Sequence, residues 1–397
     1  MISPLRQRYN DQWTPEAYGR MLQFITSEAR GHAPKFPVAE TPVFLPNTLK
    51  KQLVEACEQI IDVIARPDFV ERSEGAVLAG QRMPSDNPHT TFLQMDFGIC
   101  ADEQGNLTPQ LIEAQGFPSL YHFQDTLAEA YRRHFDIPAD HSHFFGGITR
   151  EEYHEKLRRI IVGDGPAEET ILLEIEPEKQ TTAIDFVLAA EALGISVVCV
   201  SALEVEGKQL FYRKDGRRIR VKRIYNRVIF DELIKRDDLK RQFYFTQEAD
   251  VQWIGHPHWF FRISKYMLPL LDSPYVPDCK FLNELDEYPA DLENYVLKPL
   301  YSFAGTGVII NLNRFDLEAI QDPENYILQR KVQYAPVVQT PSQPAKIEIR
   351  LLMLWEPGAA RPEVVTNLVR LSKGEMVGVR YNKGRSWVGG SVGFFEE

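Results

Sequence analysis

A glycine-rich segment that follows a lysine in the last third of the chain has the composition of a phosphate-binding loop. Lys298 ends a predicted strand, Tyr295–Lys298, and the loop Ser302–Gly307 comes next. A second strand is predicted at Val308–Leu312, so the loop connects two strands, whereas a dinucleotide fold places it between a strand and a helix. Backbone N–H groups of such a hairpin can surround phosphate oxygens, and the lysine would add positive charge. The pattern indicates a triphosphate site, with an ordinary structural turn as the alternative.

Two further segments fit a nucleotide site, although each has an ordinary alternative. Lys265 begins an apolar helical segment and would supply a second cation for the phosphates. The predicted strand Tyr326–Lys331 could offer its main chain to the edge of an adenine ring. The alternatives for these two segments are a surface lysine and a buried strand.

A predicted β-hairpin in the first third of the chain carries oxygen ligands that suit a magnesium ion. Its strands are Thr90–Ile99 and Leu107–Ala114. Because side chains alternate along a strand, Glu113 and Gln115 point to the same face, and Asp96 on the neighbouring strand can join them. Mg²⁺ prefers such oxygen donors and is usually shared with nucleotide phosphates. In isolation, the alternative is an exposed acidic hairpin.

Several other patterns receive structural interpretations. The match to a nucleophile elbow at Gly389–Gly393 lacks the helix that must follow it. The basic run Arg213–Arg227 is expected to be the solvated face of a hairpin. Two histidine pairs have no third ligand of obvious kind nearby and are expected to be ordinary histidines rather than metal ligands: His141 with His143, and His256 with His258.

The composition limits the possible partners and the compartment. The 397 residues include 45 Lys and Arg against 56 Asp and Glu, a formal charge of −11, whereas nucleic-acid binding depends on neutralising phosphates. Nucleic acid is therefore not expected as a partner. Four separated cysteines form no C-x-x-C pair and are typical of reduced cytosolic thiols. The N-terminal segment lacks the apolar core of a signal peptide, and no stretch is apolar enough for a membrane span, so a soluble cytoplasmic protein is expected.

The order of the predicted elements divides the chain into three parts. Residues 1–160 carry the acidic hairpin, residues 161–245 form a βαβ unit followed by a hairpin, and residues 246–397 contain short strands and glycine turns. Alternating strands and helices in the middle and segregated ones at the end predict a mixture of α/β and α+β structure. The other predicted elements are helices Thr48–Ile64, Gln124–His134 and Thr182–Leu193, and strands Thr170–Glu174, Ser196–Val200, Gln209–Arg213, Arg218–Tyr225, Ile347–Trp355 and Val364–Leu371.

Taken in sequence order, these pieces resemble the ATP-grasp superfamily, in particular its circularly permuted branch, which includes the synthetase domain of glutathionylspermidine synthase. In that branch the metal motif comes before the lysines, the glycine-rich loop and the adenine hinge, as Asp96…Glu113-x-Gln115 does here. Residues 161–245 are similar to the βαβ pre-grasp domain of the branch, and Met376–Arg380 resembles its G-x-G-x-R motif. The resemblance implies a circularly permuted ATP-grasp fold over residues 90–397.

The resemblance also implies ATP and Mg²⁺ as cofactors and suggests a role for each matching residue. The metal ligands would be Asp96, Glu113 and Gln115. The nucleotide would be bound by Lys265, Lys298, Ser302, Gly305, Thr306, Gly307, Gln329 and Lys331. Charge on the transferred phosphoryl group would be neutralised by Arg350 and Arg380.

The sequence departs from the pattern of the branch at positions that concern the substrate. Gln94 stands where the branch has the arginine of an R-x-D motif, Phe303 replaces an arginine in the loop, and Gln115 replaces an asparagine. An arginine binds a carboxylate with a bidentate fork that neither glutamine nor phenylalanine supplies. A substrate with fewer carboxylates than glutathione, or with a more apolar acyl group, is therefore expected.

The function that the resemblance implies is an ATP- and Mg²⁺-dependent ligase. It would join a small or peptide-like acid to an amine or a thiol through an acyl phosphate, releasing ADP and phosphate. The two missing arginines leave an alternative: a nucleotide-binding protein of the same fold that has lost ligase chemistry and acts as a sensor or partner.

Overall fold

The computed structural model describes residues 1–302, 305–375, 377 and 379–397, and for residues 379 and 380 it describes the backbone only. Short 3₁₀ helices connect many of the elements, among them Lys265–Leu270. The α-helices are α1 (Ser3–Gln12), α2 (Pro15–Glu28), α3 (Asn47–Ile64), α4 (Phe69–Arg72), α5 (Tyr121–His134), α6 (Arg150–Ile161), α7 (Ala183–Leu193), α8 (Phe230–Leu233), α9 (Pro257–Arg262) and α10 (Arg314–Glu318).

Within the described residues, the strands form five small or medium-sized sheets. They are β1 (Val43–Leu45), β2 (Phe92–Ala101), β3 (Leu107–Gln115), β4 (His141–Ser142), β5 (Thr170–Glu174), β6 (Ser196–Cys199), β7 (Glu204–Glu206), β8 (Gln209–Lys214), β9 (Arg217–Val221), β10 (Arg223–Asn226), β11 (Gln252–Ile254), β12 (Cys279–Phe281), β13 (Tyr295–Pro299), β14 (Tyr326–Arg330), β15 (Lys346–Leu354), β16 (Glu363–Ser372), β17 (Gly389–Ser391) and β18 (Gly393–Glu396).

The largest sheet is antiparallel and has the strand order β17-β16-β15-β2-β3. One of its faces is apolar and packs against α3, where Leu53 and Ile60 meet Met95 and Phe97 of β2. Because side chains alternate along a strand, the neighbours of these apolar residues point to the opposite face. There the sheet buries polar and charged side chains, which are Gln94, Asp96, Glu348 and Arg350.

The second sheet is parallel, with the order β11-β10-β5-β6. The predicted βαβ unit is confirmed: α7 connects β5 to β6, and Gly194 ends the helix at a φ of 69° that favours glycine. The chain then crosses to the other side of β5 to form β10. The order of strands therefore reverses between β5 and β10, and in open parallel sheets ligands bind at the carboxyl end of such a reversal.

The predicted hairpin strand Arg218–Tyr225 is wrong as a single element. The chain leaves the hairpin after Val221 and joins the parallel sheet at Arg223. Lys222 makes the transition, since its N–H donates to the carbonyl of Glu169 (2.8 Å) and its carbonyl accepts from Gln252 N–H (2.8 Å). Two sheets thus share one run of alternating residues. The local sequence pattern does not show where one strand ends and the next begins.

The predicted strand Val308–Leu312 is also wrong. Only Ile309 pairs with β13, exchanging two backbone hydrogen bonds of 3.0 Å with Leu297. The antiparallel sheet here has the order β12-β14-β13, so the short strand β12 takes the second edge of β14. The glycine-rich loop therefore follows a strand but does not lead into another one.

The connection between the two main sheets is held by a buried carboxylate. Asp185 of α7 accepts hydrogen bonds from the backbone N–H groups of Leu120 (3.1 Å), His122 (3.0 Å) and Phe123 (2.9 Å). These groups lie at the start of α5, where the helix has no partners of its own for them. Asp185 thereby fixes the segment that leads from β3 into α5. No helix in the described residues is both long and apolar enough to cross a membrane.

Replacing Asp185 tests how much this cap stabilises the fold. We expect Asp185→Ala to lower the free energy of unfolding by about 3 kcal/mol, because three buried N–H groups lose their acceptor. The matched control is Glu191→Ala on the same helix, which removes an exposed ion pair with Arg30 and is expected to cost less than about 1 kcal/mol. Urea unfolding measures both, and equal losses in the two variants would contradict this role of Asp185.

Candidate functional site

The polar face of the antiparallel sheet is organised around the carboxylate of Asp96. Asp96 lies directly opposite Arg350 in the sheet, and the Arg350 guanidinium binds both of its oxygens, with 2.6 Å between Nη2 and Oδ2. Arg370 contacts the same Oδ2. Burial opposes the charged form, but the two guanidinium groups outweigh it and hold the pKa of Asp96 below its ordinary value. Asp96 is therefore an anion with both oxygens in use.

Gln94 completes the contacts of Arg350. Its Oε1 accepts from Arg350 Nη1 at 3.1 Å, and its Nε2 donates to the carbonyl of Ser119 at 3.0 Å. Gln94 stands where the resemblance led us to expect an arginine, and its side chain instead helps to hold Arg350. Arg350 is 7% exposed, so its orientation is set by these buried partners.

Glu348 is a second buried carboxyl group in this network. Arg370 contacts its Oε1, and the hydroxyl of Tyr334 donates to its Oε2 at 3.1 Å. Burial raises the pKa of Glu348 to about 7, with the charges of Asp96 and Glu113 adding to the effect and Arg370 opposing it. Glu348 consequently titrates near neutral pH.

Glu113 and Gln115 share a face of β3, as their spacing predicts. Gln115 Nε2 donates to Glu113 Oε1 at 2.8 Å, and the same oxygen lies 3.7 Å from Arg350 Nη2. Asp96 pairs with Glu113 across the sheet, so the three predicted metal ligands are neighbours. A carboxylate and an amide oxygen fit Mg²⁺, whereas Asp96 could join them only if Arg350 turned away. Its assignment as a metal ligand stays a prediction.

The two predicted phosphate lysines approach Glu113 from another direction. Lys298 Nζ donates to the carbonyl of Ile112 at 3.1 Å, and Lys265 Nζ donates to the carbonyl and the hydroxyl of Ser302 at 2.6 and 3.1 Å. Burial lowers the pKa of both lysines, and the charge of Glu113 opposes this shift. The two partly buried lysines therefore lie near Glu113, between the small sheet and β3.

The remaining predicted nucleotide residues lie on the same small sheet and its loop. Gln329 is buried on β14 with its Nε2 unpartnered among the described residues, and Lys331 Nζ donates to the carbonyl of Glu293. Gly307 has a φ of 75° and would bring a Cβ to 3.0 Å from Pro299. Gly305 and Thr306 belong to the described part of the loop.

Two positions that bear on the family resemblance lie outside the described part of the structure. Phe303 lies outside the described residues, and so does the side chain of Arg380. Among the described residues, Arg370 is the second arginine that contacts Asp96. Sequence reasoning missed Arg370 and Glu348, although charged residues within otherwise apolar strands β15 and β16 were a usable signal.

A third missed residue is Arg227, which follows β10 at the carboxyl edge of the parallel sheet. It is 2% exposed, and its guanidinium lies 4.5 Å from the ring centroid of Phe117 and 5.1 Å from that of Phe186. Nη2 reaches Thr182 Oγ1 at only 3.5 Å, while Nε and Nη1 have no partner among the described residues. A buried cation without a partner is costly, so this arrangement suits an anionic ligand.

Arg227 connects the two sheets of the candidate site. Phe117, which covers its guanidinium, comes two residues after Gln115 on the chain that leaves β3. The edge where β5 and β10 diverge therefore lies next to the predicted metal ligands. This is the position at which a parallel sheet of this order binds ligands.

The expectation that His256 and His258 lack a third ligand-type neighbour is wrong. Asp86 Oδ2 lies 3.1 Å from His258 Nδ1, and Oδ1 lies 3.6 Å from His256 Nδ1. His258 Nε2 accepts from the N–H of Met83 (2.9 Å), which leaves the Nδ1–H to donate to Asp86. Arg262 also binds Asp86 at 2.5 Å. The side chains of this group are thus already paired with one another and with Arg262.

The same expectation for His141 and His143 is also wrong, because Asp140 Oδ1 lies 2.9 Å from His141 Nδ1 and Asp125 Oδ1 lies 3.6 Å from His143 Nε2. The structural interpretation of the apparent nucleophile elbow is confirmed. Ser391 of the apparent nucleophile elbow lies in β17 and donates to the carbonyl of Thr41 at 2.6 Å. The expected solvated face of the basic run is confirmed for its hairpin part, where four cations are paired with acidic side chains, and is wrong for Arg227, which is buried. The pairs are Arg213 with Glu204, Arg218 with Glu204 and Glu206, Arg217 with Glu168, and Lys222 with Glu169.

Comparison with known proteins gives a likeness at the level of the fold. No family model and no curated protein matches this sequence. Among solved structures, the chain is similar to a glutathione synthetase-like effector from Globodera pallida in its apo form, with a TM-score of 0.59, 12% sequence identity and 96% of each chain covered. The chain therefore has a glutathione synthetase-like fold. The likeness does not point to glutathionylspermidine synthase in particular.

The protonation of Glu348 should be visible in the stability of the protein. The folded state keeps this proton up to pH about 7, whereas the unfolded chain releases it near a pKa of about 4.3. The free energy of unfolding therefore falls as pH rises between these values, by about 1.4 kcal/mol per unit, and this contribution is constant above pH 7. Glu348→Gln should remove the slope. Urea unfolding at pH 5, 6 and 7.5 would contradict this if the difference from wild type did not change with pH.

Proposed function

We propose that this chain is an ATP- and Mg²⁺-dependent ligase that joins a carboxylic acid to an amine through an acyl phosphate, on a circularly permuted ATP-grasp fold. The observation that carries the proposal is the convergence of Lys265, Lys298 and Glu113 in a chain with a glutathione synthetase-like fold. The two lysines come from segments that follow the acidic hairpin by more than a hundred residues. That order is the one expected of the permuted arrangement.

The nucleotide would lie between the small sheet and β3. Lys265 and Lys298 would bind the phosphates once the backbone oxygens that now accept their hydrogen bonds are replaced by phosphate oxygens, which form stronger charged hydrogen bonds. The adenine would lie along β14, where the buried amide of Gln329 has an unused donor. The other contacts would come from Ser302, Gly305, Thr306, Gly307 and Lys331.

Glu113 and Gln115 would hold Mg²⁺, which would supply positive charge to neutralise the phosphates of the nucleotide. Asp96 would act mainly through its ion pairs, holding Arg350 and Arg370 in fixed positions beside Glu113. Fixed cations of this kind stabilise the charge that develops during phosphoryl transfer, and they need no reorganisation at that moment. Arg380 is the other arginine that the sequence assigns to this role.

The acid would be bound by Arg227 at the edge of the parallel sheet, next to Gln115. A carboxylate oxygen can accept from the unpartnered Nη1, and the unpartnered Nε offers a second donor on the other edge of the guanidinium. One carboxylate oxygen of the substrate would attack the γ-phosphorus of ATP, releasing ADP and forming the acyl phosphate. The amine nitrogen then attacks the acyl carbon, the bond to phosphate breaks, and the amide is released with phosphate.

A second candidate function is nucleotide binding without ligation. It is favoured by Asp96, whose two oxygens are engaged by arginines, and by Gln94 at the position of an expected arginine. The two functions differ in one measurement, the release of ADP that depends on an acid. A panel of acetate, succinate, γ-glutamylcysteine and glutathione, each with hydroxylamine as the acceptor, should give hydroxamate and ADP with at least one acid. Tight ATP binding with no ADP release for the whole panel would favour the second function.

Removing the buried phosphate lysine tests the nucleotide site. Lys298→Ala should weaken ATP binding at least tenfold, because it removes a charged hydrogen bond of about 1.5–3 kcal/mol. The control is Lys280→Ala, which removes an exposed lysine from β12 of the same sheet and should leave the affinity unchanged. Calorimetric titration with ATP measures both variants. Unchanged affinity in Lys298→Ala would show that the loop is not the phosphate site.

Arg227 is expected to be needed for binding the acid, although its unpaired charge lowers the free energy of unfolding. Arg227→Met keeps an apolar side chain between Phe117 and Phe186 but removes the unpaired charge, so the free energy of unfolding should rise by about 1–3 kcal/mol. Acid-dependent ADP release should be lost while ATP affinity is kept. The control, Arg262→Met, removes a buried arginine that is paired with Asp86 and Glu74 and should destabilise the protein. A destabilised Arg227→Met variant would indicate a structural role instead.

A further inference from the structure

Tyr334 lies on the polar face of the antiparallel sheet, although it belongs to no strand of that sheet. It is part of residues 332–338, which lie between β14, where the proposed function places the adenine, and β15. The N–H of Ala335 donates to the carbonyl of Ile99 on β2 at 2.9 Å, which fixes this segment against the sheet. The Tyr334 hydroxyl donates to Glu348 Oε2 at 3.1 Å. The phenol therefore contacts the charged network of the candidate site directly.

A glycine makes room for the Tyr334 ring on the sheet. Gly98 lies two residues after Asp96 on β2, so its position faces the same side of the sheet. A Cβ at this position would lie 2.8 Å from Tyr334 Cε1 and 2.8 Å from Val332 Cγ1, closer than carbon atoms can approach without displacement. The ring thus occupies the space that a side chain on β2 would fill, and the close contact requires glycine at position 98.

Glu348 lies between Gly98 and Arg370 in a row across three strands. It pairs with Gly98 of β2 on one side and with Arg370 of β16 on the other. Its Oε1 is contacted by Arg370 Nη2, which also contacts Asp96 Oδ2. The buried carboxyl group of Glu348 therefore connects the Tyr334 phenol, through Oε2, with the Arg370 guanidinium, through Oε1.

The Arg370 guanidinium is less firmly held than that of Arg350. Both of the contacts that Arg370 makes use Nη2, and its Nε has no partner among the described residues. Arg350 binds Asp96 through two nitrogen atoms, which fixes the plane of its guanidinium. A guanidinium held through one nitrogen keeps rotational freedom. The direction of Arg370 therefore depends on where the Glu348 carboxyl group is held.

We propose that Tyr334 is a positioning residue for phosphoryl transfer; this inference rests on the proposed ligase function. Its hydroxyl holds the Glu348 carboxyl group, which in turn sets the direction of the Arg370 guanidinium. In the proposed function, Arg370 stabilises the charge that develops on the transferred phosphoryl group. Such stabilisation is most effective when the cation is already in place. Tyr334 therefore contributes to the rate of the reaction and leaves the binding of ATP and of the acid unchanged.

The experiment measures hydroxamate formation with hydroxylamine as the acceptor and with the acid that gives most hydroxamate with the wild type. Tyr334→Phe keeps the ring on Gly98 and removes only the hydroxyl. Gly98→Ala keeps the hydroxyl and displaces the ring. The matched controls are Tyr244→Phe, at an exposed tyrosine, and Gly19→Ala, where a Cβ meets nothing within 4 Å outside its own helix.

We expect Tyr334→Phe and Gly98→Ala to lower kcat about tenfold, the effect of one hydrogen bond to a charged group, and to leave KM for ATP and for the acid within about twofold of wild type. Both controls should behave as wild type. Calorimetric titration should give the same ATP affinity and stoichiometry for every variant. Unchanged stoichiometry would show that the slower variants are fully folded.

A double variant tests whether Tyr334 acts through Glu348. Glu348→Met removes both carboxyl oxygens, so the phenol then has no acceptor to hold. Adding Tyr334→Phe to Glu348→Met should therefore cause no further loss of kcat.

Four outcomes would overturn the inference, and the first three would leave the ligase function standing. An unchanged kcat in Tyr334→Phe would show that the hydroxyl does not orient the arginine. A loss of ATP affinity or stoichiometry parallel to the loss of rate would assign the phenol a structural role. Losses that multiply in the double variant would show that Tyr334 does not act through Glu348. Absence of hydroxamate with wild type for every acid would remove the proposed ligase function, and this inference with it.

Discussion

The ion pairs that Asp96 forms with Arg350 and Arg370 are the interaction on which the candidate site depends. They hold charged side chains from β2, β15 and β16 together on one buried face of the antiparallel sheet. Buried charges of this kind stabilise a fold only when each has its partners, and they are strongly destabilising when one partner is removed. The position of Glu113, which borders this network, is fixed by the same set of contacts.

Arg227, which lies where the two main sheets meet, differs from the buried carboxylates of the same chain. Asp96, Asp185 and Asp86 each have several donors, as buried carboxylates normally do. Arg227 has one long hydrogen bond, of 3.5 Å to Thr182 Oγ1, and forms no ion pair within the described residues. Natural proteins retain unsatisfied polar groups mainly where a ligand completes them, at some expense of stability. This contrast makes Arg227 a candidate for contact with a ligand.

Local sequence patterns were sufficient to predict the long elements and the residues that they place close together. Strands β2, β3, β15 and β16 agree with the prediction to within two residues at either end. The reason is that a long run of alternating residues is compatible with a strand and with little else. The same alternation correctly put Glu113 and Gln115 on one face. Short strands such as β1 and β18, which pair across the whole length of the chain, have no local signal of comparable strength.

The sequence by itself thus determined the β-hairpin that carries Glu113 and Gln115 and the βαβ unit, since both depend on neighbours in the chain. It also pointed to the lysines Lys265 and Lys298 as candidate phosphate ligands. Only the tertiary structure decided which residues meet Asp96, because Arg350 and Arg370 lie 254 and 274 residues away. It also decided that the run after Val221 leaves the hairpin, that residues 308–312 do not form a strand, and that Arg227 is buried with Nε and Nη1 unpartnered among the described residues. In each case, segments that are distant in the chain compete for the same contacts. Burial and hydrogen bonding over the whole fold decide which segment makes them, and local secondary-structure propensity does not.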